Sequence, residues 1–208
     1  MGLKKPRSGA DLRPIAEREY ARDEAGLGVQ LDDPDPALRR WAARDLASHP
    51  GAGRRLCARL LVESDPSVRE ALFTSAAQVG GHAVVDGILP LLRSEQPALR
   101  NGAIELLGGL PDVVAPRIQA LLQDADSDVR IFTINLLGNL SHPGVPQWLV
   151  QVLAREDEIN VIGAALEVLA EVGGPETLEP LRAVRARFGD NPFITFAADV
   201  AIERIGSA

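Results

Sequence analysis

The sequence predicts an all-α solenoid of about six stacked helical hairpins, and two observations carry that prediction. The first is a motif that recurs along nearly the whole chain. An Asp, Asn, Glu or Gln stands three residues before an aliphatic anchor, often with Pro between them, and Arg usually follows. The copies run Asp35–Arg39, Asp65–Arg69, Gln96–Arg100 and Asp126–Arg130, with degraded copies at Glu158–Ile162 and Asn191–Thr195. The anchors Leu38, Val68, Leu99, Val129, Val161 and Ile194 are separated by 30, 31, 30, 32 and 33 residues. So steady a period marks an array of supersecondary units rather than a globular helical domain. The second observation is that small or apolar residues return at +3, +4, +7, +8 and +11 from each anchor, which is one face of a helix.

Each unit then reads in order. Asp35, Asp65, Asp126 and Asn191 stand where an N-cap is needed, accepting from orphaned N–H groups for about 1 kcal/mol each; Gln96 and Glu158 are weaker caps in the same place. Pro36, Pro66, Pro97 and Pro192 follow at the first helical position, where a missing N–H costs nothing. Helices are expected to start near Pro36, Pro66, Pro97, Ser127, Ile159 and Pro192. Gly80-Gly81, Gly173-Gly174 and Gly206 sit where C-terminal glycines close helices. A less regular helix precedes each of these, marked by Leu56, Leu60 and Leu61, then Ile88, Leu91 and Leu92, then Ile118, Leu121 and Leu122, then Leu149, Val152 and Leu153. Such hairpins bury their apolar faces only by stacking on neighbours. The first unit is the least regular, with Asp45 at a +7 position that is apolar or small elsewhere, as suits a capping unit.

The Asp-Pro-x-Val-Arg start, the small-residue core and the closing Gly resemble HEAT-like repeats, in the short bacterial form also found in phycobilisome lyases. The resemblance covers about residues 24–206. It implies a right-handed superhelix whose second helices line the concave surface. It also implies that Arg39, Arg69, Arg100 and Arg130 hold neighbouring units in register by meeting acidic caps. The alternative for that row is an anion-binding ladder.

Composition narrows the functions. The 208 residues suit a single solenoid over residues 14–208, preceded by a disordered basic arm over residues 1–13. Residues 1–22 carry six basic and three acidic side chains, so the remainder carries −10 of a formal net charge of −7. An acidic body with 4% aromatic residues is a poor nucleic-acid binder. No apolar run approaches the ~20 residues of a membrane span, and the N-terminus lacks the apolar stretch of a secretory signal, so a cytoplasmic protein is expected. Cys57 is the only cysteine, which excludes an internal disulfide and favours a buried apolar thiol.

His49 and His142 lie in matching His-Pro-Gly turns and His82 follows Gly80-Gly81. Their units are ~10 Å or more apart, a helix diameter, so turn chemistry is expected of them rather than one shared metal ion. Trp41, on a core face, is expected to cap the solenoid end, and Trp148 to be partly exposed. No phosphate loop, nucleophile–base pair or metal-ligand spacing is present in the sequence. The informative row is the face opposite the core, at +2, +6 and +10. There Glu70, Asn101, Glu105, Asn135, Asn139 and Glu167 make a polar strip, with an exposed Ile131 as its apolar contact centre. An ordinary solvated helix face is the competing reading.

The expectation is therefore a non-enzymatic adaptor, without cofactor, that holds a protein partner in its concave face and is itself a monomer or weak oligomer. One alternative, from the family resemblance, is a chromophore-lyase or cofactor-assembly chaperone. A second is a DNA-binding HEAT-like protein, which the acidic body disfavours.

Overall fold

The structure is a computed structural model that describes residues 20–207. Twelve α-helices and no strand are present among the described residues. They pair as α1 (Glu24–Gln30) with α2 (Pro36–Leu46), α3 (Gly53–Leu60) with α4 (Pro66–Val79), and α5 (Gly81–Ile88) with α6 (Pro97–Gly108). Then α7 (Pro111–Leu121) pairs with α8 (Ser127–Gly138), α9 (Val145–Arg155) with α10 (Ile159–Val172), and α11 (Leu178–Arg187) with α12 (Pro192–Gly206). The described residues form an α-solenoid of six hairpins. No helix among the described residues is long and apolar enough to cross a membrane. The basic arm expected over residues 1–13 lies outside the described residues.

The second helices begin at Pro36, Pro66, Pro97, Ser127, Ile159 and Pro192, as the caps predict. Asp35, Asp65, Asp126 and Asn191 accept N–H groups of the first turn, whereas Gln96 and Glu158 make no side-chain cap bond. A second turn device precedes the first five caps. The residue five before the anchor accepts the N–H of the capping residue: Asp33 from Asp35, Glu63 from Asp65, Ser94 from Gln96, Asp124 from Asp126 and Glu156 from Glu158. Gly189 holds that place in the last unit and has no side chain to offer. Among the closing glycines, Gly80 and Gly81 use the left-handed region, with φ of 62° and 78°. There α4 turns into α5 with no intervening residue that an L side chain would suit.

The second helices pack on one another in chain order from α2 to α12, and the first helices stack as α3–α5–α7 and α9–α11. Between α7 and α9 the first layer loosens. The core runs unbroken between the layers through Leu46, Leu60, Leu72, Leu107, Ile134 and Leu136, all fully buried. One stacking position escaped the sequence pattern. At +5 stand Ala43, Phe73, Ile104, Ile134 and Leu166, apolar in five units, and Asp199 in the sixth. Phe73 shows the role of this position, since its ring lies 2.7 Å from where a Cβ on Gly102 of the next unit would sit. Asp199 instead ion-pairs with Arg185 of α11 and gives the last unit a charged outer face.

Two expectations about depth are corrected. Trp41 is 54% exposed rather than buried at the solenoid end. Its +3 position packs on the preceding second helix in later units, and among the described residues no such helix precedes α2. Leu61 is also exposed, because α3 ends at Leu60 and the chain turns away there.

Candidate functional site

The polar strip and the loop edge are the two surfaces that the motif builds. On the strip, Glu70 of α4, Asn101 and Glu105 of α6, Asn135 of α8, Asn139 at its C-cap and Glu167 of α10 are all exposed. Asn101, Glu105, Asn135 and Asn139 line one depression of about 590 Å³, between α6 and α8. Gly108 and Gly109 leave its wall open, and Ile104 supplies its apolar floor. Ile131, expected to be exposed there, is half-buried and packed against the core, outside the depression. Helical spacing gives the direction of a side chain, and Ile131 folds inward because apolar core lies within reach. Glu70 and Glu167 belong to the helices on either side. Among the described residues Glu70, Glu105 and Glu167 have no ion-pair partner, so the strip presents charge and amide groups to an incoming molecule.

The loop edge is the opposite case at Glu63, Asp124 and Glu156, whose charges are answered by arginines of the fold. Each Arg that follows an anchor donates to the backbone carbonyl at the start of its own cap loop. Arg39 Nη1 reaches Asp33 O at 2.9 Å, Arg69 Nε reaches Glu63 O at 2.6 Å, Arg100 Nη1 reaches Ser94 O at 2.9 Å and Arg130 Nη1 reaches Asp124 O at 2.8 Å. Two of them also fork onto the next unit. Arg39 donates to both Glu63 oxygens at 2.8 Å, and Arg130 to both Glu156 oxygens at 2.8 and 3.2 Å. The sequence reading placed these bonds on the acidic caps; the partners stand two residues earlier. Glu63 accepts in addition from Arg59 and from the Ser64 and Asp65 N–H groups. Burial alone would raise its carboxyl, but the bonds from Arg39, Asp65 and Arg59 hold it down at about 2. Burial likewise opposes ionisation of Glu156, and Arg130 with the Glu158 and Asp157 N–H groups outweighs it, lowering that pKa.

The remaining candidates have structural roles. His142 Nδ1 accepts the Gly144 N–H at 3.0 Å, and its ring stacks on Trp148 with centroids 4.7 Å apart. His82 meets Arg117 at 3.2 Å. No group of three potential metal ligands occurs among the described residues. Cys57 is buried, and burial pushes its thiol up to about 11, which leaves it a packing residue. A smaller depression of about 230 Å³ opens on the first-helix side, where Gln119 of α7 and Gln151 of α9 bond across the loosened joint beside Trp148. Sequence spacing did not single it out, because first helices lack the capping motif that sets the register.

The chain matches the HEAT repeats family over residues 24–108 and 114–200. It is 30% identical over 153 residues to the bilin biosynthesis protein PecE of Mastigocladus laminosus, a match covering 71% of this chain and 56% of that protein. It is 24% identical over 187 residues to the uncharacterized phycocyanin operon protein Z of Pseudanabaena tenuis, covering 85% and 92%. The chain thus spans little more than half the length of the first relative. Among solved structures, the complex of CpcE and CpcF of phycocyanin lyase from Nostoc aligns at a TM-score of 0.37 and 19% identity, over 92% of this chain and 97% of that one. With six units in the motif's register and the family matched along most of its length, the chain belongs to the HEAT repeat family.

Proposed function

We propose that this solenoid is a binding protein that holds a polypeptide partner along the strip formed by its second helices, centred on Asn101, Glu105, Asn135 and Asn139. The observation that carries this reading is the contrast in charge use. Glu63, Asp124 and Glu156 on the loop edge are engaged by arginines of the fold, whereas among the described residues Glu70, Glu105 and Glu167 on the strip stand exposed without an ion-pair partner. Amides and carboxylates in one open depression suit hydrogen bonds to an extended backbone and to basic side chains. Glu105→Lys combined with Asn135→Ala should abolish capture of the partners that wild type retains from cell extract, with helicity and melting unchanged. The wild-type capture should also weaken with added salt. Equal capture by both proteins refutes the reading.

A second reading, assembly of a bilin with its protein, is supported by the relative named a bilin biosynthesis protein. On that reading the held partner is an apo-phycobiliprotein. Co-expression with that partner and a bilin should give visible absorbance on the partner beyond that obtained without this chain, and no gain counts against it.

A further inference from the structure

The strip changes character at its C-terminal end. At +2 and +6, where the third unit has Asn101 and Glu105, the last unit has Phe196 and Val200, with Phe193 one residue before the anchor. Residues spaced i, i+3 and i+7 share one helix face, and on α12 these three are 56%, 70% and 36% exposed. Elsewhere the +2 residue meets the −1 residue of the following unit, as Arg40 Nη1 meets Ser67 Oγ and Gly163 lies under Phe193, and among the described residues no unit follows α12. The side of α12 that would meet another unit is marked by the +5 position, and Asp199 there is tied to Arg185. Terminal units carry such polar outer faces. A second copy stacked end to end would have to bury that ion pair.

Phe193 is also placed rather than loose. Its ring lies over the backbone of Gly163 on α10, where a Cβ would come within 2.7 Å of a ring carbon. Beside this apolar ridge, Glu167 and Glu171 of α10 and Glu203 of α12 are exposed. Among these carboxylates the structure gives only Glu171 a cation, Arg204 at 4.0 Å. The patch is therefore an aromatic ridge edged by negative charge that the fold leaves largely uncompensated.

We propose that this end of the strip recognises a segment of another protein in which an aliphatic or aromatic side chain is flanked by lysine or arginine. The proposal rests on the strip reading and deepens it, assigning the apolar anchor to Phe196, Phe193 and Val200 and the charge selection to Glu167, Glu171 and Glu203. Aromatic side chains in such positions dominate binding energy, while charges at the rim select partners.

Fluorescence anisotropy with short synthetic peptides tests it on the full chain. A peptide mixing Leu and Lys should bind, and matched peptides with Glu for Lys or Ser for Leu should bind about tenfold more weakly or not at all. Phe196→Ala, which removes an exposed ring, should weaken the Leu/Lys peptide about tenfold without moving the melt. Glu167→Gln with Glu171→Gln should weaken it and flatten its salt dependence. Equal binding of the three peptides, or an unaffected Phe196→Ala, overturns the proposal. So does tighter peptide binding after deletion of residues 1–19, which would make the chain's own basic segment the occupant. Concentration-dependent self-association lost in Phe196→Ala would assign the patch to a second copy and also overturn it. If Glu105→Lys with Asn135→Ala weakens the peptide while Phe196→Ala does not, the strip reading stands and this inference falls. If neither changes it, both fall.

Discussion

At the first and fourth junctions between units the motif arginine forks onto a carboxylate of the next unit, and at the second and third it does not, although one motif builds all four. Arg39 and Arg130 reach Glu63 and Glu156 of the following unit. Arg69 has Ser94 at the corresponding place, too short and uncharged to answer. Arg100 has Asp124, a methylene shorter than Glu and already ion-paired with Arg93, and its guanidinium lies over the Phe132 ring at 4.3 Å instead. All four arginines nonetheless tie their own cap loops. The shared task of the motif is thus to brace each loop within its unit. Clamping one unit to the next is an added function that appears where the next loop opens with Glu. At the fifth junction, where Ile162 replaces Arg, Arg187 takes over by donating to Leu153 O at 2.8 Å and to Glu156 O at 2.6 Å.

Breaking the forks should rank the junctions. Glu63→Ala should be the most damaging, because Arg39 and Glu63 are 7% and 2% exposed and the substitution strands a buried guanidinium. A loss of about 3 kcal/mol in urea denaturation is expected. Glu156→Ala should cost less, about 2 kcal/mol, because the Arg130 and Glu156 side chains retain 13% and 12% exposure. A larger loss for Glu156→Ala would show that burial does not set the strength of the clamp.

Acid should weaken the first junction progressively as the pH falls toward about 2. Glu63 is held at about 2, below its ordinary value of 4.5. A lowered carboxyl contributes stability above its unfolded value, and that contribution is lost as pH falls from about 4.5 toward about 2. Glu63→Gln should therefore flatten the pH dependence of stability across that window while leaving the rest of the curve parallel. An unchanged acid limb in Glu63→Gln would remove Glu63 from the account.

The same contrast explains what was legible in the sequence. Caps and prolines act within a few residues of themselves, so the six second-helix starts and the idle Gln96 and Glu158 caps were readable. Forks, depths and floors depend on what stands across a junction some thirty residues away. The Glu63 and Glu156 partners were for that reason assigned to the wrong loop residue, and Trp41 was placed in a core where, among the described residues, no preceding second helix stands to complete it. At the candidate site, spacing brought Asn101, Glu105, Asn135 and Asn139 onto one strip. It named Ile131 where Ile104 forms the floor, because the +5 seam was not part of the helical face counted from each anchor. Asp199 at that same seam is where the sixth unit departs from the apolar residues of the other five.

The smallest expected effect is constructive. If a Glu five before the anchor is what adds the clamp, Ser94→Glu should install one at the second junction. The new carboxylate can keep the Gln96 N–H that Ser94 Oγ accepts at 3.2 Å, as Glu63 does for Asp65. Its other oxygen would face Arg69, which among the described residues donates only to the Glu63 carbonyl of its own loop. Arg69 is half-exposed, so solvent screens the pair and limits the gain to about 0.5–1 kcal/mol. For a chain of this size that raises Tm by about 2 °C. Adding Arg69→Gln to Ser94→Glu should cancel the gain. A gain that survives without Arg69 would trace to the loop itself, and the clamp would no longer distinguish the four junctions.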